Sequence, residues 1–210
     1  MAHQINLFNF TGTLGNVVGY YYKGKYCLRS RPVRKNKTIS PAQAKTRERF
    51  SITNKFVRCL SPLLAISIPD NKKMTKSNIV TSHIMRNAIE DAYPGFRINY
   101  NKVFVSKGHL GQAWSEKARS ESGNVIFTWE DNSKHYRGNA KAGNKAILVV
   151  YCETLNQCAY SINVFNRSDG NATIPVLQFL GYKVETWIGF ISADGKLISN
   201  STYTGALFIT

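Results

Sequence analysis

The chain has 210 residues, 43% of them apolar and 12% aromatic, which is enough for a packed core of one domain or two small ones and excludes wholesale disorder. Lys and Arg number 28 against 12 Asp and Glu, a net charge of +16, so any surface that carries this excess expects an anionic partner or water. No stretch approaches eighteen apolar residues, which excludes a membrane-spanning helix. Met1–Gln4 carries neither a basic segment nor an apolar run of a secretion signal, so cytoplasmic synthesis is expected, with a virion as one destination.

The first hundred residues hold 17 basic and 4 acidic side chains, and the rest hold 11 and 8. Twelve of the basic residues fall between positions 23 and 58, where Glu48 is the one acid. Just before and within this block comes a β pattern. Val17–Tyr22 is β-branched and aromatic, and Lys25–Arg31 alternates, so residues 12–31 predict a β-hairpin turning at Lys23-Gly24. Gly12, Gly15 and Gly19 mark bends or places where another backbone comes close. They do not form a phosphate loop, because no Lys-Ser/Thr follows them.

Pro32–Thr38 reads as a linker. Ser40, Pro41 and Gln43 then form a helix start, with Phe50, Phe56, Val57, Leu60 and Leu64 on one apolar face. Pro62 predicts a kink or a new short helix. A second helix is expected from about Ser77 to Ala92, with His83 at the core edge, and Tyr93-Pro94-Gly95 ends it. Beyond residue 100 the pattern changes to short strands: 103–105, 124–129, 145–151, 159–164, 172–176, 183–191 and 197–208. Turn residues separate them, as at Asp131-Asn132-Ser133 and Asp194-Gly195. The expected fold is α+β, with a basic hairpin and helices over 1–100 and an antiparallel fibronectin-III or immunoglobulin-like sandwich over 101–210.

The sequence offers little chemistry. Cys27, Cys59, Cys152 and Cys158 form no CxxC, and the four histidines are scattered, so no metal or cofactor is expected. Cys152 and Cys158 are near enough in sequence to meet across a hairpin, but a disulfide is not expected in a cytosolic product. Glu90-Asp91 and Glu130-Asp131 are neighbours whose side chains point apart, so neither pair makes an acid–base site. The reading is a non-enzymatic protein that acts on no small-molecule substrate. Its partners are itself, as a homo-oligomer, or the other structural proteins of a particle. Val17, Tyr20, Tyr22 and Leu28 are the expected assembly contacts, by strand addition. Arg29, Arg31, Arg34, Lys35, Lys45, Arg47 and Arg49 are expected to face an anionic surface. The alternative is nucleic-acid binding by 23–58, with the tyrosines stacking on bases.

Two sets of motifs carry a resemblance. In the front half these are Gly12-x-x-Gly15-x-Val17-Val18-Gly19, Tyr22-Lys23-Gly24, Arg29-x-x-Pro32, Thr38, Pro41-Ala42-Gln43, Arg47 and Phe50. In the back half they are Phe127-Thr128-Trp129-x-Asp131-Asn132-Ser133, Gly138-Asn139-Ala140-Lys141, Lys145–Tyr151 and Phe190–Gly205. Together they resemble an uncharacterised Bacteroidota family, a domain of unknown function, over nearly the whole chain. Tyr22 stands where that family usually has Trp. The family lends no catalytic or binding residues. Its resemblance to basic front segments of phage structural proteins implies a phage-virion component of the head or tail.

Overall fold

The structure is a computed structural model. It describes residues 3–4 by their backbone, and 9–22, 24–33, 38–92, 95–135 and 139–210 in full. They fall into two compact units, Met1–Ser40 and Pro41–Thr210.

The first unit is an antiparallel meander of four strands in the order β1 (His3–Gln4), β2 (Phe10–Leu14), β3 (Val17–Tyr22) and β4 (Lys25–Ser30). The predicted hairpin is its β3–β4 half, with Tyr22 opposite Lys25. Gly24 takes φ +77°, the left-handed backbone that such a two-residue turn requires. The segment around Gly12 forms a further strand, with Leu14 opposite Val17, so the hairpin is extended into a meander.

The second unit begins with α1 (Pro41–Cys59), whose first residue is the proline expected there. Pro62 sits in the first turn of a new helix, α2 (Ser61–Ser67), so it starts a helix rather than bending α1. The next helix, α3 (Lys76–Asn87), begins at Thr75, whose hydroxyl accepts the Asn78 N–H. It ends earlier than the apolar spacing predicts. Residues 89–92 instead form β5 (Ile89–Ala92), which pairs with β6 (Gly95–Ile98) in a hairpin. The 103–105 segment belongs to no sheet, and Val105 N–H bonds to the Ser201 hydroxyl.

Seven strands follow: β7 (Trp114–Glu121), β8 (Asn124–Glu130), β9 (Lys145–Cys152), β10 (Gln157–Asn166), β11 (Asn171–Pro175), β12 (Lys183–Ile191) and β13 (Thr202–Phe208). They form two antiparallel sheets, β7-β8-β11 and β10-β9-β12-β13. Lettered in chain order as A, B, C, C′, E, F and G, they read A-B-E and C′-C-F-G, the fibronectin-III arrangement. The last strand is shorter than expected, since Ile198 makes a lone bridge to Ile191 and regular pairing resumes at Thr202.

The two faces of β9 explain why its sequence is apolar throughout. Ala146, Leu148, Val150 and Cys152 point into the sandwich, against Val125, Phe127 and Trp129 of β8. Ile147, Val149 and Tyr151 point the other way, against Phe56, Leu60, Leu64, Val80 and Ile84 of the helices. The molecule therefore has a third, helical layer on the four-stranded sheet. Phe56 is the hub, with its ring centroid 4.9 Å from Tyr151, 5.7 Å from Tyr100 and 6.0 Å from Trp187. The helices share this core with the sandwich. The boundary between compact units lies at 40/41.

Candidate interaction surface

Strand alternation divides the side chains of the first unit between two faces. Leu14, Val17, Tyr21, Tyr26 and Leu28 share one. Leu14 is 61% exposed, Tyr21 48% and Leu28 56%. The register makes them neighbours, with Leu14 opposite Val17 and Tyr21 opposite Tyr26. The Tyr21 and Tyr26 rings meet edge to face at 5.4 Å. Gly19, opposite Leu28, is buried, and a Cβ there would stand 2.2 Å from the Phe10 carbonyl oxygen. A side chain is excluded, which is the close backbone approach the glycines predict.

Thr13, Val18, Tyr20, Tyr22, Lys25, Arg29 and Arg31 lie on the other face. The Arg29 guanidinium sits 5.8 Å from the centre of the Tyr20 ring. Thr13, Val18, Arg29, Arg31 and Pro32 line a shallow depression. The four expected assembly contacts are therefore exposed but split: Val17 and Leu28 lie on the apolar face, Tyr20 and Tyr22 on the basic aromatic one. Arg34 and Lys35 lie outside the described residues.

The remaining expected basic contacts are on α1. Lys45 and Arg47 are exposed, and the first turn of α1 carries no acid to offset its positive dipole end. Arg47 lines an open groove with Thr46, Phe50, Asn54 and Met85. Arg49 is committed inside the unit. Its Nη2 donates to the Met85 carbonyl at 3.1 Å, and its guanidinium lies 5.7 Å from the Phe96 ring centre. That ties α1 to the end of α3 and to the β5–β6 hairpin.

A family model described as a family of unknown function (DUF6266) matches residues 9–205. The chain belongs to that family. No curated protein and no solved structure matches it. The match begins at Asn9, just before β2, so β2–β4 of the first unit and all but the last five residues of the second lie within the family domain. Three of the four strands of the N-terminal sheet are included in the match.

The polar groups that attract attention as chemistry are bound up in structure. His83 Nε2 pairs with the Lys102 carbonyl oxygen at 2.9 Å, and Phe104 covers the ring at 4.6 Å. Glu90 lies on a strand, not at a helix end. It accepts from Asn99 at 2.6 Å and pairs with Lys102 and Arg97, and the Asn99 bond, then Lys102, holds its carboxyl below the usual range. Among the described residues, no group of three or more His, Cys, Asp and Glu could hold a metal ion. No described helix is long and apolar enough to cross a membrane.

One polar centre has no signal in the sequence. Arg167 is fully buried. Its Nη1 donates to Asn132 Oδ1 at 2.5 Å and the Gln112 carbonyl at 3.1 Å, and its Nη2 donates to the Gly111 carbonyl at 2.6 Å. The guanidinium lies 3.7 Å from the Phe190 ring centre, and the Trp129 indole N–H donates to the Arg167 carbonyl at 2.7 Å. Burial lowers its pKa to about 10. It is an internal clamp on two loops, held through Nη1 and Nη2, with Nε buried and without a hydrogen-bond partner.

Proposed function

We propose that this chain is a non-enzymatic interaction protein that assembles with copies of itself through the apolar face of its N-terminal sheet. The supporting observation is that Leu14, Val17, Tyr21 and Leu28, on one face of the first unit's sheet, are each 40% exposed or more. A sheet with no layer over its apolar face buries too little surface to offset the entropy of ordering it. A second copy supplies the missing layer, apolar face to apolar face. Like-charge repulsion turns the Lys25, Arg29 and Arg31 face outward in such a pair. In the form the sequence resemblance carries, the assembly is a bacterial phage particle, with the chain in its head or tail and its other structural proteins as further partners.

The test is Leu28→Lys in the full chain. Sedimentation or light scattering should show the assembled mass falling to that of one chain, with an unchanged circular-dichroism spectrum. An unchanged mass contradicts the reading.

A second reading rests on the opposite face. Tyr20 and Tyr22 beside Lys25, Arg29 and Arg31 offer rings and cations together, which suits single-stranded nucleic acid. Binding to an oligonucleotide should weaken with salt, and Arg29→Ala should reduce the log–log slope by about one. A slope near zero contradicts it.

A further inference from the structure

Cys59 ends α1, and Cys158 lies on β10, an edge strand of the four-stranded sheet. The fold brings these two residues, 99 positions apart, into contact: the Cys158 thiol donates to the Cys59 carbonyl oxygen at 3.1 Å. Both are half-buried at the rim of the helix-facing core, and neither is sealed off as Cys152 is. The sequence pointed to Cys152 and Cys158 as the nearer pair. Register separates those two, because Cys152 faces the sandwich core while Cys158, opposite Tyr151, faces the helices.

We propose that Cys59 and Cys158 are a thiol–disulfide exchange pair, which a small-molecule disulfide oxidises to a bond tying α1 to β10. The roles of the two sulfurs differ. The neighbouring Cys158 thiol holds the Cys59 thiol below its ordinary range, and the same proximity, with burial, pushes Cys158 up. Cys59 is therefore the attacking thiolate. It displaces one thiolate from the small disulfide and forms a mixed disulfide. Cys158 gives its proton to solvent or to the released thiolate. Its sulfur then attacks the Cys59 sulfur and expels the second thiolate. Two protein thiols lose two electrons and two protons, and the small disulfide becomes two thiols. The bond closes a long loop, so it restricts the unfolded chain strongly.

The experiment treats the full native chain with glutathione disulfide, alkylates the remaining thiols under acid quench, and maps peptides without reduction. Two of the four thiols should disappear, and one peptide should join Cys59 to Cys158 within a single chain. The melting temperature should rise by about 10 °C and fall back on reduction. Cys59→Ser and Cys158→Ser should each abolish the linked peptide and the shift. Four free thiols, a glutathione adduct that persists on Cys59, or pairing through Cys27 each overturns the proposal. The peptide map of the unsubstituted chain decides it even if a variant fails to fold.

Discussion

The Tyr26 hydroxyl stands 2.6 Å from where a Cβ on Gly19 would lie. That hydroxyl donates to the Phe10 carbonyl at 3.0 Å and accepts from the Phe10 N–H at 3.1 Å. One side chain thus bridges β4 to the start of β2 across β3, and it can do so because residue 19 has no side chain. This reach adds to the backbone ladders that hold the meander.

Gly19→Ala should therefore loosen the whole sheet. The new methyl group meets backbone at 2.2 Å, and a carbonyl cannot swing aside as a side-chain tip can. Trypsin should cleave faster after Lys25, Arg29 and Arg31, and amide exchange over 10–30 should accelerate. Tyr26→Phe should act in the same direction but more weakly, at about 1 kcal/mol. Unchanged cleavage in Gly19→Ala contradicts the bridge.

Arg167→Met should cost about 3–5 kcal/mol. The substitution keeps much of the volume over Phe190 but leaves Asn132 and the Gly111 and Gln112 carbonyls without their donor. Arg167→Lys should recover only part of that, since a lysine cannot reproduce the planar fork. Urea unfolding checks both, with the midpoint falling and the slope unchanged. A loss below about 1 kcal/mol for Arg167→Met contradicts the clamp, since it falls short of one charged hydrogen bond.

Stability should fall in alkali. Burial raises the pKa of Tyr100, Tyr151 and Tyr203, and the Glu185 carboxylate beside Tyr203 pushes in the same direction. Above about pH 10 the unfolded chain releases these phenolic protons while the folded chain keeps them. The folded state then binds more protons, so stability is full below pH 10 and drops as pH rises. Each fully buried tyrosine contributes a slope of about 1.4 kcal/mol per pH unit. Urea midpoints between pH 9 and 11.5 test this, and Tyr151→Phe should flatten the slope. A midpoint that does not move over that range contradicts the burial of these hydroxyls.

The parts of the fold that were legible in the sequence are those where one physical demand acts alone. β9 reads as apolar on both faces because a layer covers each, and Pro41 and Pro62 mark helix starts because proline needs no donor there. β7 was missed because Trp114–Glu121 is a half-exposed edge strand rich in Lys, Arg, Glu and Ser, which carries no apolar alternation. Residues 89–92 read as helix because Ile89 keeps the apolar spacing of α3, while pairing with 95–98 decides the matter through contacts the spacing does not encode. Arg167, and the meeting of Cys59 with Cys158, depend wholly on tertiary placement. The proposed interaction face was only partly legible. Val17, Tyr20, Tyr22 and Leu28 stood out as candidate contacts, but their exposure and their division between two faces needed the structure and its register.

The most direct test of the assembly reading is the native mass of nuclease-treated full-length protein by light scattering, at low and at high salt. An apolar self-interface predicts a defined mass of two or more chains that persists at high salt and falls to one chain in Leu28→Lys. A single chain at both salt concentrations contradicts it.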